Sequence, residues 1–127
     1  MTHPLRAAFL SVPAAFLILV AGILPAAAHH GWSWTTGGNI KLIGIVQEAR
    51  LGNPHGVLKV DADGEVWTVE VGQPWRNERA GLTDGHFAVG NEITIVGEPA
   101  ADPSRKLLKA EVIVISGKEY PLYPNRS

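Results

Sequence analysis

From Ile40 onward the chain alternates short apolar runs with turn clusters, a pattern that predicts an all-β domain. The run Ile40-Lys41-Leu42-Ile43-Gly44-Ile45-Val46-Gln47-Glu48 is rich in β-branched residues, and Gly44 within it marks a bulge or a strongly bent strand. Gly52-Asn53-Pro54 ends it, because proline cannot donate to a ladder. Val57 to Val60 is a second strand, Asp61-Ala62-Asp63-Gly64 a turn, and Val66 to Val71 a third strand, so these two form a hairpin. In the third strand Trp67, Val69 and Val71 share one face, and Val66, Thr68 and Glu70 the other.

The period then changes. Pro74 suits a first helical turn, Trp75 to Ala80 has little β character, and Gly81 is a natural cap, so a helix of about two turns is expected. After a loop through Asp84-Gly85, Glu92 to Gly97 and Lys106 to Ile115 read as strands, with a short edge strand over Glu119 to Leu122. Three strands in a meander, a short helix and two or three further strands is the order of a small five- to six-stranded OB-like barrel, with its helix between strands three and four. Another small barrel or sandwich is the alternative arrangement.

The chain ahead of this domain has a different character. Met1 to Arg6 is short and positively charged, Ala7 to Leu24 is apolar, and Pro25-Ala26-Ala27-Ala28 follows. This is the layout of a secretory signal peptide over residues 1–28 rather than a membrane anchor, since Ser11, Pro13 and Gly22 interrupt the apolar run and small residues follow it. Cleavage after Ala28 gives a periplasmic chain starting at His29, with an arm over residues 29–39 rich in Gly, Trp and Thr, and the barrel over residues 40–123. Such a chain has no membrane segment once cleaved.

Composition narrows the chemistry. The 127 residues contain no cysteine, which removes disulfides, thiol catalysis, iron–sulfur clusters and cysteine-type zinc sites together. Any metal must be held by nitrogen and oxygen. Eleven Lys and Arg against twelve Asp and Glu leave no basic surplus, which argues against a nucleic-acid partner. Ser33 and Ser116 lack a nucleophile-elbow context, there is no phosphate loop, and the nominal carboxylate pairs Glu48 with Glu70 and Asp61 with Asp63 read as turn or surface residues. The expectation is a non-enzyme.

The histidines are the remaining chemistry. Cleavage after Ala28 would make His29 the first residue, so that its α-amine and ring can chelate one ion, with His30 adjacent. His55, in Asn53-Pro54-His55, projects from the rim between strands one and two and supplies a third imidazole. Imidazole with an amine favours copper(II), then nickel and zinc. Cleavage one residue earlier, giving Ala28-His29-His30, would form a square-planar chelate and keep copper first. Against this stands the reading that the pair is incidental to an arm and that His55 is a turn residue; His86 is a loop histidine. The tryptophans offer a different chemistry: Trp32 and Trp34 would share a face of an extended arm and pin it to the barrel, Trp67 would be core, and Trp75, with Arg76 and Arg79, would line a ligand pocket.

His29-His30-Gly31-Trp32, the first strand, Asn53-Pro54-His55-Gly56-Val57-Leu58, the Gly64 to Glu70 hairpin and Gly90 to Pro99 together resemble an uncharacterised family of small secreted bacterial proteins, a domain of unknown function. The resemblance implies an exported, Gram-negative, single-domain β protein, and it groups His29, His30 and His55 on the family's two motifs. Two functions follow for testing. One is a periplasmic copper(II)-binding carrier using His29, His30 and His55. The other is a non-catalytic binding module for a small ligand, peptide or envelope protein partner, with Trp32, Trp34 and Trp75 as the residues that meet the ligand.

Overall fold

The structure, a computed structural model, describes residues 31–126. The signal peptide expected over residues 1–28, and His29 and His30, lie outside the described residues. Strands β1 (Ile40–Arg50), β2 (Val57–Ala62) and β3 (Glu65–Glu70) form an antiparallel meander, followed by the helix α1 (Pro74–Arg79) and a 3-10 turn (Asp84–Phe87). Strands β4 (Glu92–Pro99), β5 (Leu107–Ile115) and β6 (Lys118–Pro121) complete the chain. The sheet order is β3-β2-β1-β4-β5-β6, and a parallel pairing of β3 with β5 closes the first five strands into a barrel. β6 is added at the edge of β5. The all-β, OB-like expectation therefore stands, with its helix between β3 and β4.

Local chemistry explains the element ends. Pro74 occupies the first helical turn, where a missing N–H costs nothing, and Gly81 at φ 93° ends α1 in a conformation that disfavours a side chain. The bulge foreseen at Gly44 lies instead beyond it, where the β1–β2 register slips between Val46 and Glu48. Gly44 serves a closer approach: a Cβ there would overlap the Asp61 carbonyl oxygen. The barrel interior is filled by Val46, Leu58, Val60, Val69, Ile93, Ile95, Leu108 and Ile113, with Phe87 from the 3-10 turn closing one end. Trp67 packs at the margin of this core with Lys106 over its ring. Among the described residues no helix is long and apolar enough to cross a membrane.

The arm departs from the extended form expected of it. Thr35 donates from its backbone and its hydroxyl to the Trp32 carbonyl, at 3.1 and 2.7 Å, so Trp32 to Thr35 is a turn and the two tryptophans do not share a strand face. Beyond the turn the arm is tied to the end of β4 by Thr36 N–H to the Pro99 carbonyl at 3.0 Å and by a bridge between Thr35 and Ala100. Its attachment to the barrel, as expected of the tryptophan arm, rests on these bonds as well as on Trp32.

Candidate functional site

His55 stands on the β1–β2 turn, just after a cis Asn53–Pro54 peptide. Gly56 donates to the Gly72 carbonyl and accepts from Val71 N–H, both at 2.9 Å, which lays the turn against the end of β3. That placement brings the His55 ring to Glu70, with Nε2 to Oε1 at 2.8 Å. No described residue hydrogen-bonds the other ring nitrogen, Nδ1. The β3–β5 register sets Glu70 beside Lys109, whose Nζ is 3.7 Å from the second carboxylate oxygen. Glu70, read from sequence as a surface carboxylate, is therefore a half-sheltered partner of both, whereas Glu48 pairs with Arg50 in the open. Asp61 behaves as the turn residue expected, accepting from Gly64 N–H at 2.9 Å.

Lys109 lies beneath two aromatic rings, 5.1 Å from the centroid of Trp32 and 5.9 Å from that of Tyr123. Burial holds its ammonium below the ordinary lysine range, Glu70 opposing and Arg76 and Arg126 adding to the effect. Burial also pushes the Tyr123 phenol up, with Arg76 opposing. Trp32 meets Tyr123 edge to face, with centroids 5.1 Å apart, and carries the Arg126 guanidinium 3.8 Å above its ring.

Arg126 reaches from the C-terminal tail into a second polar cluster. Its Nη2 donates to Glu98 at 2.9 Å and its Nε to Glu111 at 3.3 Å, and each carboxylate side chain is only 3% exposed. Asn39 donates to the other Glu111 oxygen at 2.8 Å, and the Thr35 hydroxyl, whose shorter contact is to the Trp32 carbonyl, lies 3.2 Å from Glu98. Glu98 and Glu111 are thus buried, paired carboxylates rather than solvated ones. Lys109 alternates in β5 with the core residues Leu108 and Ala110, and Glu111 is the extra residue where the β4–β5 register slips; the arm and tail cover both, Trp32 and Tyr123 over Lys109 and Asn39 and Arg126 at Glu111.

The other named residues divide between structure and solvent. His86 Nδ1 accepts from Thr83 N–H at 2.8 Å and its Nε2 is 3.3 Å from the Tyr120 hydroxyl, so this histidine caps the 3-10 turn. Trp34 is half-buried on the arm, and its carbonyl accepts from Ala101 N–H at 2.8 Å. Trp75 is 51% exposed on α1, with the Arg76 guanidinium 4.5 Å from its ring. Among the described residues no three His, Asp or Glu side chains gather as a metal cluster. His55 is the one proposed ligand within the described residues, and Glu70, Lys109, Glu98, Glu111 and Arg126 were not singled out by the sequence. The charged positions within β5 carried the available signal, since Lys109 and Glu111 interrupt an otherwise apolar strand.

The domain is an OB-like barrel carrying a histidine–carboxylate pair at its rim, of a class defined by fold rather than by activity. The chain belongs to the DUF6152 family, a family of unknown function, whose model matches residues 15–109. No curated protein matches the chain.

Proposed function

We propose that the protein is an exported, periplasmic, non-catalytic carrier of a transition-metal ion, copper(II) first, with His29 and its amine, His30 and His55 as ligands. The observation that carries this reading is the His55–Glu70 contact of 2.8 Å. Metal-ligating histidines commonly donate one ring N–H to a carboxylate, which fixes the tautomer and leaves the other nitrogen for the ion. Here Glu70 takes Nε2–H and Nδ1 is left as the donor to metal. The position of the arm is the second support: Trp32 packs over Lys109, and Lys109 contacts the same Glu70. The arm is thereby anchored one side chain away from the carboxylate that holds His55. Capture consists of neutral imidazoles and an amine closing on the ion, so binding releases protons and weakens as pH falls.

The test is intact mass and copper stoichiometry on protein exported natively without an amino-terminal tag. The expected result is a chain starting at His29 that takes up one copper(II) and loses it on His55→Ala. A correctly cleaved chain with no affinity tighter than about micromolar, a weak value for a dedicated carrier, overturns the reading.

A further inference from the structure

A groove of about 430 Å³ runs between the exposed side of α1 and the C-terminal run from Pro121 to Asn125. Trp75, Leu122 and Pro124 supply apolar parts of its lining, and its charged lining residues are Arg76 and Arg79, with no carboxylate among them. The neighbouring acid Glu78 lines a different groove on the opposite side of the helix, together with Asp84. Among the described residues Arg76 is held in place by neutral groups, donating to the Leu122 carbonyl at 3.1 Å and to Gln73 at 3.3 Å. Its guanidinium is flanked by the rings of Trp75 and Tyr123, at 4.5 and 4.2 Å. Arg79 is exposed and makes no hydrogen bond or ion pair within the described residues.

Two guanidinium groups with no anion paired to them among the described residues, beside a half-exposed indole, form a defined recognition chemistry. A guanidinium presents paired N–H donors that match a carboxylate in a two-point contact, and the indole face accepts a flat apolar body. The volume is near the small end of sites for small molecules, roughly 300–1,000 Å³. Stacking on Trp75 requires the body to be planar, and a volume near this small end suits a single ring system. We infer that this groove is a binding site for a small planar carboxylate, an aromatic acid, whose ring lies on Trp75 and whose carboxylate is forked by Arg79 with Arg76 behind it. The site is separate from His55 and does not rest on the metal reading.

The experiment is a titration of the chelator-treated protein, purified from its native host, with benzoate, following the indole N–H signals by NMR. A saturable shift of the Trp75 signal is expected, weakened about tenfold or more by Arg79→Gln, the loss of one charge-assisted contact, and by Trp75→Ala. Both residues are exposed, so neither variant threatens folding. Inorganic phosphate, which has the charge without the ring, is expected to bind more weakly than benzoate. The absence of saturation at tens of millimolar, equal binding by Arg79→Gln, or phosphate binding as tight as benzoate with no dependence on Trp75 each overturns the inference.

Discussion

Replacing Arg126 with methionine keeps most of the side chain's apolar length and removes the guanidinium from Glu98 and Glu111. Both carboxylates are 3% exposed, and among the described residues what remains beside them is neutral, the Thr35 hydroxyl, shared with the Trp32 carbonyl, for Glu98 and the Asn39 amide for Glu111. Breaking a fully buried ion pair by removing one partner costs about 3–5 kcal/mol, because the other charge stays desolvated. Arg126 is itself 38% exposed, so water enters where it lay and the cost falls toward about 2–3 kcal/mol. Loss of the guanidinium over Trp32, 3.8 Å from its centroid, adds roughly 0.5–1 kcal/mol. The sum, about 3 kcal/mol, is a large part of the roughly 5–15 kcal/mol that holds a domain of this size together. Urea denaturation followed by tryptophan fluorescence is the assay: the midpoint falls while the slope is unchanged, because the barrel still unfolds as a unit. Combining Arg126→Met with Glu98→Gln removes one of the two stranded charges and recovers about half of the loss. A single variant within about 0.5 kcal/mol of the parent, or a double variant worse than the single, refutes the view that the tail is held by these buried acids.

The same geometry yields further expectations. Glu70→Gln loosens the orientation of His55 and lowers copper affinity about 10–100-fold, while adding it to His55→Ala changes nothing more; isothermal titration of the four proteins checks both halves. Lys109 binds its proton less tightly folded than unfolded, so its charge costs stability at neutral pH. The Lys109 contribution therefore rises as pH climbs toward the ordinary lysine value, about 10.4, while above about 10 Tyr123, whose ionisation is delayed by burial and which titrates first in the unfolded chain, works against it. Lys109→Met flattens the rising limb in urea midpoints measured from pH 7 to 10, and parallel curves for the two proteins refute the assignment. Gly97→Ala places a Cβ onto the Lys109 carbonyl oxygen where β4 and β5 touch, and is expected to cost about 2 kcal/mol or more by the same urea measurement.

The strands were legible because turn chemistry separates them: Asn53-Pro54 and the Asp61 to Gly64 turn bound elements whose apolar residues alternate. Closure of the barrel was legible only as a topology, since the parallel register of Thr68 with Leu107 joins segments far apart in sequence. The 3-10 turn over Asp84–Phe87 is four residues long, too short to impose a period. The buried acids were hidden for a different reason. Alternation assigns a residue to a face of the sheet and says nothing of what covers that face. Glu98 alternates with the core residues Ile93 and Ile95 of β4 and so sits where alternation predicts solvent, and the arm and tail make that place an interior. His55 was legible as a rim residue, but its partner Glu70 is fifteen residues away, and only the β2–β3 register, which sets Val57 opposite Glu70, brings the two together.

These contacts link the two proposed sites through one chain of charge. Arg76 lies over Tyr123, Tyr123 is near Lys109, Lys109 contacts Glu70, and Glu70 holds His55. A divalent ion on His55 adds positive charge close to an ammonium that burial already disfavours. An ion on His55 and the Lys109 ammonium would both border Glu70 and repel, so uptake of the ion favours loss of the Lys109 proton or a ligand set that brings negative charge of its own. The alternative cleavage, giving Ala28-His29-His30, supplies that charge, because its chelate binds through deprotonated amide nitrogens, whereas a chain starting at His29 offers a neutral amine and imidazoles. The Lys109 ammonium therefore gives the start of the mature chain an electrostatic consequence. Lys109→Met strengthens copper binding markedly if the ligands are neutral and only slightly if the amides carry the compensating charge.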